Sequence, residues 1–221
     1  HAFFNKKSST SEVEILGNKI TNCSYSNFHI KQIHSNKIIY TRKINTQNLI
    51  KADGLISNQI KQNLWVYTAD CMPILFADKK NKSIACIHCG RKGLEKNIIT
   101  NLIKTFESIG SSRKDLLVAV GPSISSENYL LDKETYHNFR NNFKLENVST
   151  LENDNLYHDK YYENELISLD IKKYAYLQLI SENIKPHNIE IFNKCTFNLK
   201  DEFHSWRRSK NSDRQWSMIS I

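Results

Sequence analysis

The stretch NLWVYTADCMPILFADKKNKSIACIHCGRKG, Asn63–Gly93, decides the fold. Asn63–Thr68 is apolar, aromatic and β-branched, which predicts a half-buried strand. Thr68-Ala69-Asp70-Cys71 interrupts it as a tight polar turn. Met72–Ala77 resumes the apolar run, with Pro73 near its start, where a missing N–H does least harm. Asp78–Lys82 is a charged turn, and Ser83–His88 is a third strand. Cys71 and His88 are thereby delivered to strand ends, where neighbouring strands can bring them together. A thiolate and an imidazole so placed form either a metal pair or a nucleophile–base pair.

Upstream, Glu12–Leu16 reads as a short strand and Ser24–Asn27 as a turn. His29–His34 alternates, Lys37–Tyr40 continues as a strand, and His34 stands just before the turn residues Ser35-Asn36. Asp53-Gly54 is a turn ahead of the central stretch. Downstream, Gly90-Arg91-Lys92-Gly93 is a basic loop. A helix follows in which Ile98, Ile99, Leu102, Ile103 and Phe106 repeat at helical spacing and Gly110 is a suitable stop. Leu116–Val120 is a buried strand. Asp132 and Asp170 cap two further helices, to about Phe139 and Ile184. Asn141–Glu165 is a polar excursion, and Ile189–Phe192 is a last strand. Strands and helices alternate irregularly, so the expected fold is α+β or mixed α/β. With no linker in view, one domain is expected over residues 1–221.

The chain has 221 residues, enough to bury a core without disulfide staples. An odd set of 5 cysteines does not read as a disulfide framework and points to a reducing, cytoplasmic setting. Apolar runs are too short for a membrane span, and the first residues lack a signal-peptide core. The chain starts at His1 rather than Met, so residues preceding it are expected in the full-length protein. The net charge of +8 comes with many lysines but no aromatic-interleaved basic stripe, so no nucleic-acid partner is expected.

Four groups could carry chemistry. His34, Cys71 and His88 are three N/S donors at strand ends, the donor set of an open zinc site, although no short ligand pair supports it. Cys86 and Cys89 form a C-x-x-C, but Cys86 lies within a strand, so packing is the better reading than redox. Arg91 and Lys92 between two glycines would suit a phosphate, or form a solvated basic turn. Arg207 and Arg208, with Arg214, could clamp a phosphate or carboxylate, or decorate an exposed tail.

In order along the chain, these pieces resemble the YfiH family, also called the laccase-domain or multicopper polyphenol oxidase family. The resemblance is carried by Gln32-Ile33-His34, Ala52-Asp53-Gly54-Leu55, Thr68-Ala69-Asp70-Cys71-Met72-Pro73 and His88-Cys89-Gly90-Arg91-Lys92-Gly93. It continues through Gly121-Pro122-Ser123-Ile124, Cys195-Thr196 and Phe203-His204-Ser205-Trp206-Arg207-Arg208. It implies an α+β sandwich of mixed sheets flanked by helices, similar to bacterial toxin cysteine deamidases. It implies one metal on His34, Cys71 and His88, usually Zn2+, with Cu2+ as the alternative. It also implies phosphorolysis of purine nucleosides (adenosine, inosine, guanosine, methylthioadenosine), or adenosine deamination. Phenol oxidation and editing of peptidoglycan precursors are credited to some members.

The departures fall on the substrate side. Ser35 replaces a family glycine, Arg91-Lys92 a tryptophan-arginine pair, Cys89 an alanine and Ser123 a cysteine, and Ala175 stands where an asparagine is expected. The leading expectation is a zinc-dependent purine nucleoside phosphorylase acting on a nucleoside and phosphate. Arg91, Lys92, Arg207 and Arg208 would hold phosphate, Asp70 or Asp53 would move a proton, and Cys71 and His88 would stand at the reacting centre. Deamination would use Asp70 as its carboxylate. A copper phenol oxidase ranks lower, because the remaining histidines do not pair at ligand spacing. A metal-free hydrolase with Cys71 as nucleophile and His88 as base is a further alternative, as is a non-catalytic module.

Overall fold

The structure, a computed structural model, describes residues 1–8, 13–21, 25–43, 49–145, 159–162 and 165–221. In chain order the elements begin with β1 (Ala2–Phe3), α1 (Val13–Ile20), β2 (Ser26–Phe28), β3 (Ile38–Tyr40) and β4 (Gly54–Ser57). β5 (Gln62–Thr68), β6 (Met72–Asp78), β7 (Ser83–Cys89), α2 (Arg91–Glu95) and α3 (Ile98–Ser108) make up the central block. β8 (Leu116–Val120), β9 (Leu130–Asp132), α4 (Lys133–Asn142), β10 (Leu166–Ser168) and α5 (Ile171–Ser181) follow. β11 (Ile189–Ile191), α6 (Trp206–Ser209) and β12 (Gln215–Ser220) complete the series. The expected mixed α+β fold is what the chain adopts.

Two mixed sheets organise it. One has the order β1-β12-β5-β2, the other β11-β8-β6-β7-β4-β3, and β9 pairs with β10 apart from both. Alternation along the strands sorts side chains into three cores. Leu64, Val66 and Ile219 of the smaller sheet meet Leu55, Leu75, Ile84 and Cys86 of the larger between the two. The far face of the larger sheet, with Ile56, Met72, Ile74, Phe76 and Ile87, packs on Leu102, Phe106, Phe139, Tyr174 and Leu179 of the helices. The far face of the smaller sheet sets Trp65 and Met218 against Val13 and Leu16 of α1. The order of layers is helix, sheet, sheet, helices. No helix among the described residues is long and apolar enough to cross a membrane.

Several sequence expectations are corrected by packing. Residues 13–20 are a helix, not a strand, because Val13 and Leu16 lie three apart on one buried face. Ser26 and Asn27 belong to β2, paired parallel to β5, rather than to a turn; Ser24 and Cys23 lie outside the described residues. β5 is buried on both faces, not half-buried, because α1 covers its outer side. Gly54 opens β4 instead of closing a turn, and a Cβ there would run into Ile38 and Ile87. Most of the excursion expected over 141–165 lies outside the described residues, while Asn141 and Asn142 close α4. The caps at Asp132 and Asp170 form as expected, accepting from the Thr135 and Lys173 amides.

Candidate metal centre

His34, Cys71 and His88 arrive at one point from three segments. β7 carries His88 near its end, and the turn between β5 and β6 carries Cys71. His34 stands in the loop before β3 with φ of 56°. Their donor atoms lie within 4.8 Å of one another, with His34 exposed, Cys71 partly exposed and His88 buried. One thiolate and two imidazoles are the donor set of a zinc-type site, and the exposed side leaves a position for another ligand. The residues therefore fit the metal that the sequence led to expect.

Asp53 holds this arrangement. Its carboxylate accepts from the backbone amides of Ile33, His34 and Ser35, at 3.2, 2.9 and 2.6 Å, and from the Ser35 hydroxyl at 2.7 Å. It also meets His88 Nδ1 at 2.9 Å, while the His88 amide donates to the Asp53 carbonyl. Ser35, in place of the family glycine, thus adds a donor to the same carboxylate. Lys96 Nζ donates to the His34 carbonyl at 2.9 Å and fixes the loop from the other side. Gly90 completes the approach: a Cβ there would overlap the Cys71 sulfur.

The electrostatics follow from these contacts. Burial pushes the Cys71 thiol up, but the charge of His88 and hydrogen bonds from His34 and His88 outweigh it and hold it at about 6. Burial pushes His88 down, while the Cys71 and Asp53 charges and hydrogen bonds raise it to about 9. Asp53 is pushed up by burial and pulled down more strongly by His88 and Ser35, to about 2. Thiolate, imidazolium and carboxylate therefore form a charged series in the metal-free protein. Burial drives Cys86 and Cys89 the other way; both thiols are fully buried and inert. Cys89 is the last residue of β7, not a loop residue.

The donors open into a cleft of about 680 Å³, lined also by Gln32, Tyr67, Tyr129, Ile124, Ile171 and Trp206. Arg91, Lys92, Arg207 and Arg214 place four cationic side chains on its wall. Arg91 and Lys92 form the first turn of α2, not a loop; Arg91 pairs with Glu95 one turn on. Arg208 is placed differently from the sequence expectation. Its guanidinium donates to the carbonyls of Thr196, Phe197 and Phe203, at 2.9, 2.6 and 2.7 Å, so its donors are committed to the chain itself. Asp70 also has another use than proton transfer. It turns the chain with φ of 88°, and its carboxylate accepts from Thr196 Oγ1, Ser205 Oγ and the Arg207 amide at 2.7, 3.0 and 2.7 Å. It faces the start of α6. Tyr129 and Trp206 went unsuspected as site residues: only Trp206, beside Arg207, offered a sequence cue.

The description "Multi-copper polyphenol oxidoreductase laccase" belongs to a family model that matches residues 9–221. The chain belongs to this family. The chain is similar to the purine nucleoside phosphorylase slr1573 of Synechocystis sp., 32% identical over 209 residues, covering 87% of this chain and 78% of that protein. The purine nucleoside phosphorylase of Borreliella burgdorferi is 33% identical over 186 residues, covering 83% and 75%. The crystal structure of Bacillus licheniformis YfiH superposes with a TM-score of 0.82 at 21% identity, covering 94% of this chain and 79% of that one. The YfiH resemblance carried by the motifs, and the fold it implies, are thereby met.

Proposed function

We propose that this protein is a zinc-dependent purine nucleoside phosphorylase acting on adenosine, inosine, guanosine or methylthioadenosine. The observation that carries the reading is one cleft with a thiolate–imidazole donor set at its floor and arginines and a lysine on its wall. The names of the relatives support it. His34, Cys71 and His88 would hold the metal, which when bound supplies a Lewis acid to the cleft. Asp53 orients His88 and fixes the His34 loop. Arg91, Lys92, Arg207 and Arg214 bind phosphate and neutralise its charge as it approaches the ribose. A phosphate oxygen forms the bond to C1′ as the glycosidic C–N bond breaks; the purine leaves with the bonding pair and takes up one proton. The products are the free base and ribose 1-phosphate, or 5-methylthioribose 1-phosphate from methylthioadenosine. The test is incubation of purified, zinc-loaded protein with each nucleoside, with and without phosphate, reading both products.

A second reading has its own observation. The Cys71–His88–Asp53 series is the order of a nucleophile, a base and an orienting carboxylate. A metal-free cysteine hydrolase would use it without His34. The change His34→Ala separates the two, because it removes a metal ligand and leaves the series intact. Adenosine deamination fits the cleft less well, since the Asp70 and Asp53 carboxylates are both engaged by protein donors. Phenol oxidation by copper would need several ligand clusters, and one is found among the described residues.

A further inference from the structure

Tyr129 lines the cleft together with two of its arginines, which come from different parts of the fold. Arg91 starts α2 and Arg207 lies in α6. The Arg207 guanidinium sits over the Tyr129 ring, 5.1 Å from its centroid, and donates to the next carbonyl, Leu130, at 3.1 Å. The Tyr129 side chain shares the cleft wall with Arg91, whose guanidinium pairs with Glu95. The backbone pins the residue on both sides: its amide donates to Ser126 and its carbonyl accepts from Leu169. The ring is partly exposed and forms part of the cleft wall with Cys71.

We infer that the Tyr129 hydroxyl is a neutral hydrogen-bond donor of the phosphate subsite and sets its affinity, together with Arg91 and Arg207. The inference rests on the phosphorylase reading and deepens it. A tetrahedral anion between two guanidiniums has more acceptor oxygens than cations alone satisfy, and a fixed hydroxyl at the same place gives direction. Burial pushes the phenol pKa up from its ordinary value. The hydroxyl therefore keeps its proton at neutral pH. The stacked Arg207 is held by the ring, so ring and hydroxyl have separable roles.

The experiment measures inorganic phosphate binding to the zinc-loaded protein by titration calorimetry, beside steady-state kinetics, for wild type, Tyr129→Phe and Tyr129→Leu. Tyr129→Phe should weaken phosphate by about tenfold, the loss of one hydrogen bond to an anion. Zinc content and nucleoside KM should stay within about twofold of wild type, given that no metal or nucleoside contact is removed. Tyr129→Leu should weaken phosphate at least as much and also melt lower, because the ring over Arg207 is gone. Unchanged phosphate affinity in Tyr129→Phe overturns the inference. So does an equal rise in nucleoside KM, which would put the hydroxyl on the base or ribose, or a wild type that binds no phosphate. Binding is read apart from turnover. A wild type that binds phosphate without cleaving nucleosides contradicts the phosphorylase reading, while the Tyr129→Phe comparison still decides the subsite.

Discussion

Oδ1 of Asp53 lies 2.9 Å from Nδ1 of His88, with both side chains removed from solvent. The carboxylate accepts a hydrogen bond from Nδ1–H, which leaves Nε2 as the atom His88 would offer a metal. The same carboxylate collects the amides of Ile33, His34 and Ser35. One buried anion therefore sets the tautomer of one candidate metal ligand and the position of another.

Asp53→Asn should lower zinc affinity roughly 10- to 100-fold, the range for a partner behind a metal-binding histidine. An amide supplies an acceptor to His88 but no charge, and it turns an NH2 toward backbone donors. Zinc competition with a chromogenic chelator reads the change, and circular dichroism checks that the fold survives.

Cys71→Ala and His88→Ala should each abolish stoichiometric zinc binding, because a methyl group cannot replace a ligand. Cys86→Ala and Cys89→Ala should retain zinc, since both thiols pack in the apolar cores on either side of the larger sheet. Their cost is a small cavity of about 1–2 kcal/mol in stability. Elemental analysis of the four purified variants gives the answer; zinc loss in Cys86→Ala equal to that in Cys71→Ala would remove the ligand assignment.

The convergence of His34, Cys71 and His88 is legible in the sequence because strand ends are where a sheet gathers distant residues, and Cys71 and His88 can be placed there from the apolar runs alone. Arg207 and Arg208 could not be told apart. Successive residues of a helix point about 100° from each other, so α6 sends one into the cleft and the other toward carbonyls. Asp53 reads in the sequence as a turn residue or a proton-transfer carboxylate, since a sequence does not reveal that three amides from another loop will converge on it. Tyr129 had no motif chemistry of its own and became a site residue only when α2 and α6 folded around it. The helix α1 is not legible in the sequence because Val13, Ile15 and Leu16 are residue types that strands favour, and only packing shows that Val13 and Leu16 face the core.

Neighbouring arginines should therefore behave differently. Arg207→Ala should raise the phosphate KM several-fold and cost less stability than Arg208→Ala, since it gives up one carbonyl contact and the Tyr129 stack. Arg208→Ala should cost about 3 kcal/mol, having stripped three carbonyls of a charged donor. Thermal melts beside phosphate titrations separate the two; equal effects on phosphate KM would contradict the placement of Arg208.

Asp78 offers a pH test away from the metal. Burial pushes its carboxyl up, but hydrogen bonds from Ser111, Asn81 and Lys80 outweigh it, so its pKa is lowered on folding. A lowered carboxyl contributes stability that is present above its unfolded pKa, about 3.9, and is lost as pH falls through the folded value. Asp78→Asn should thus be less stable than wild type at pH 7, and the gap should close below about pH 4. Denaturant melts at pH 7, 5 and 3 follow it.

The most direct measurement is the phosphate dependence of nucleoside cleavage by zinc-loaded protein, read as hypoxanthine and ribose 1-phosphate from inosine. The expected result is equimolar formation of both products, absent without phosphate and abolished in His34→Ala together with the bound zinc. Hypoxanthine released at the same rate without phosphate, or full activity in a His34→Ala protein that holds no metal, would contradict a metal-dependent phosphorylase built on His34, Cys71 and His88.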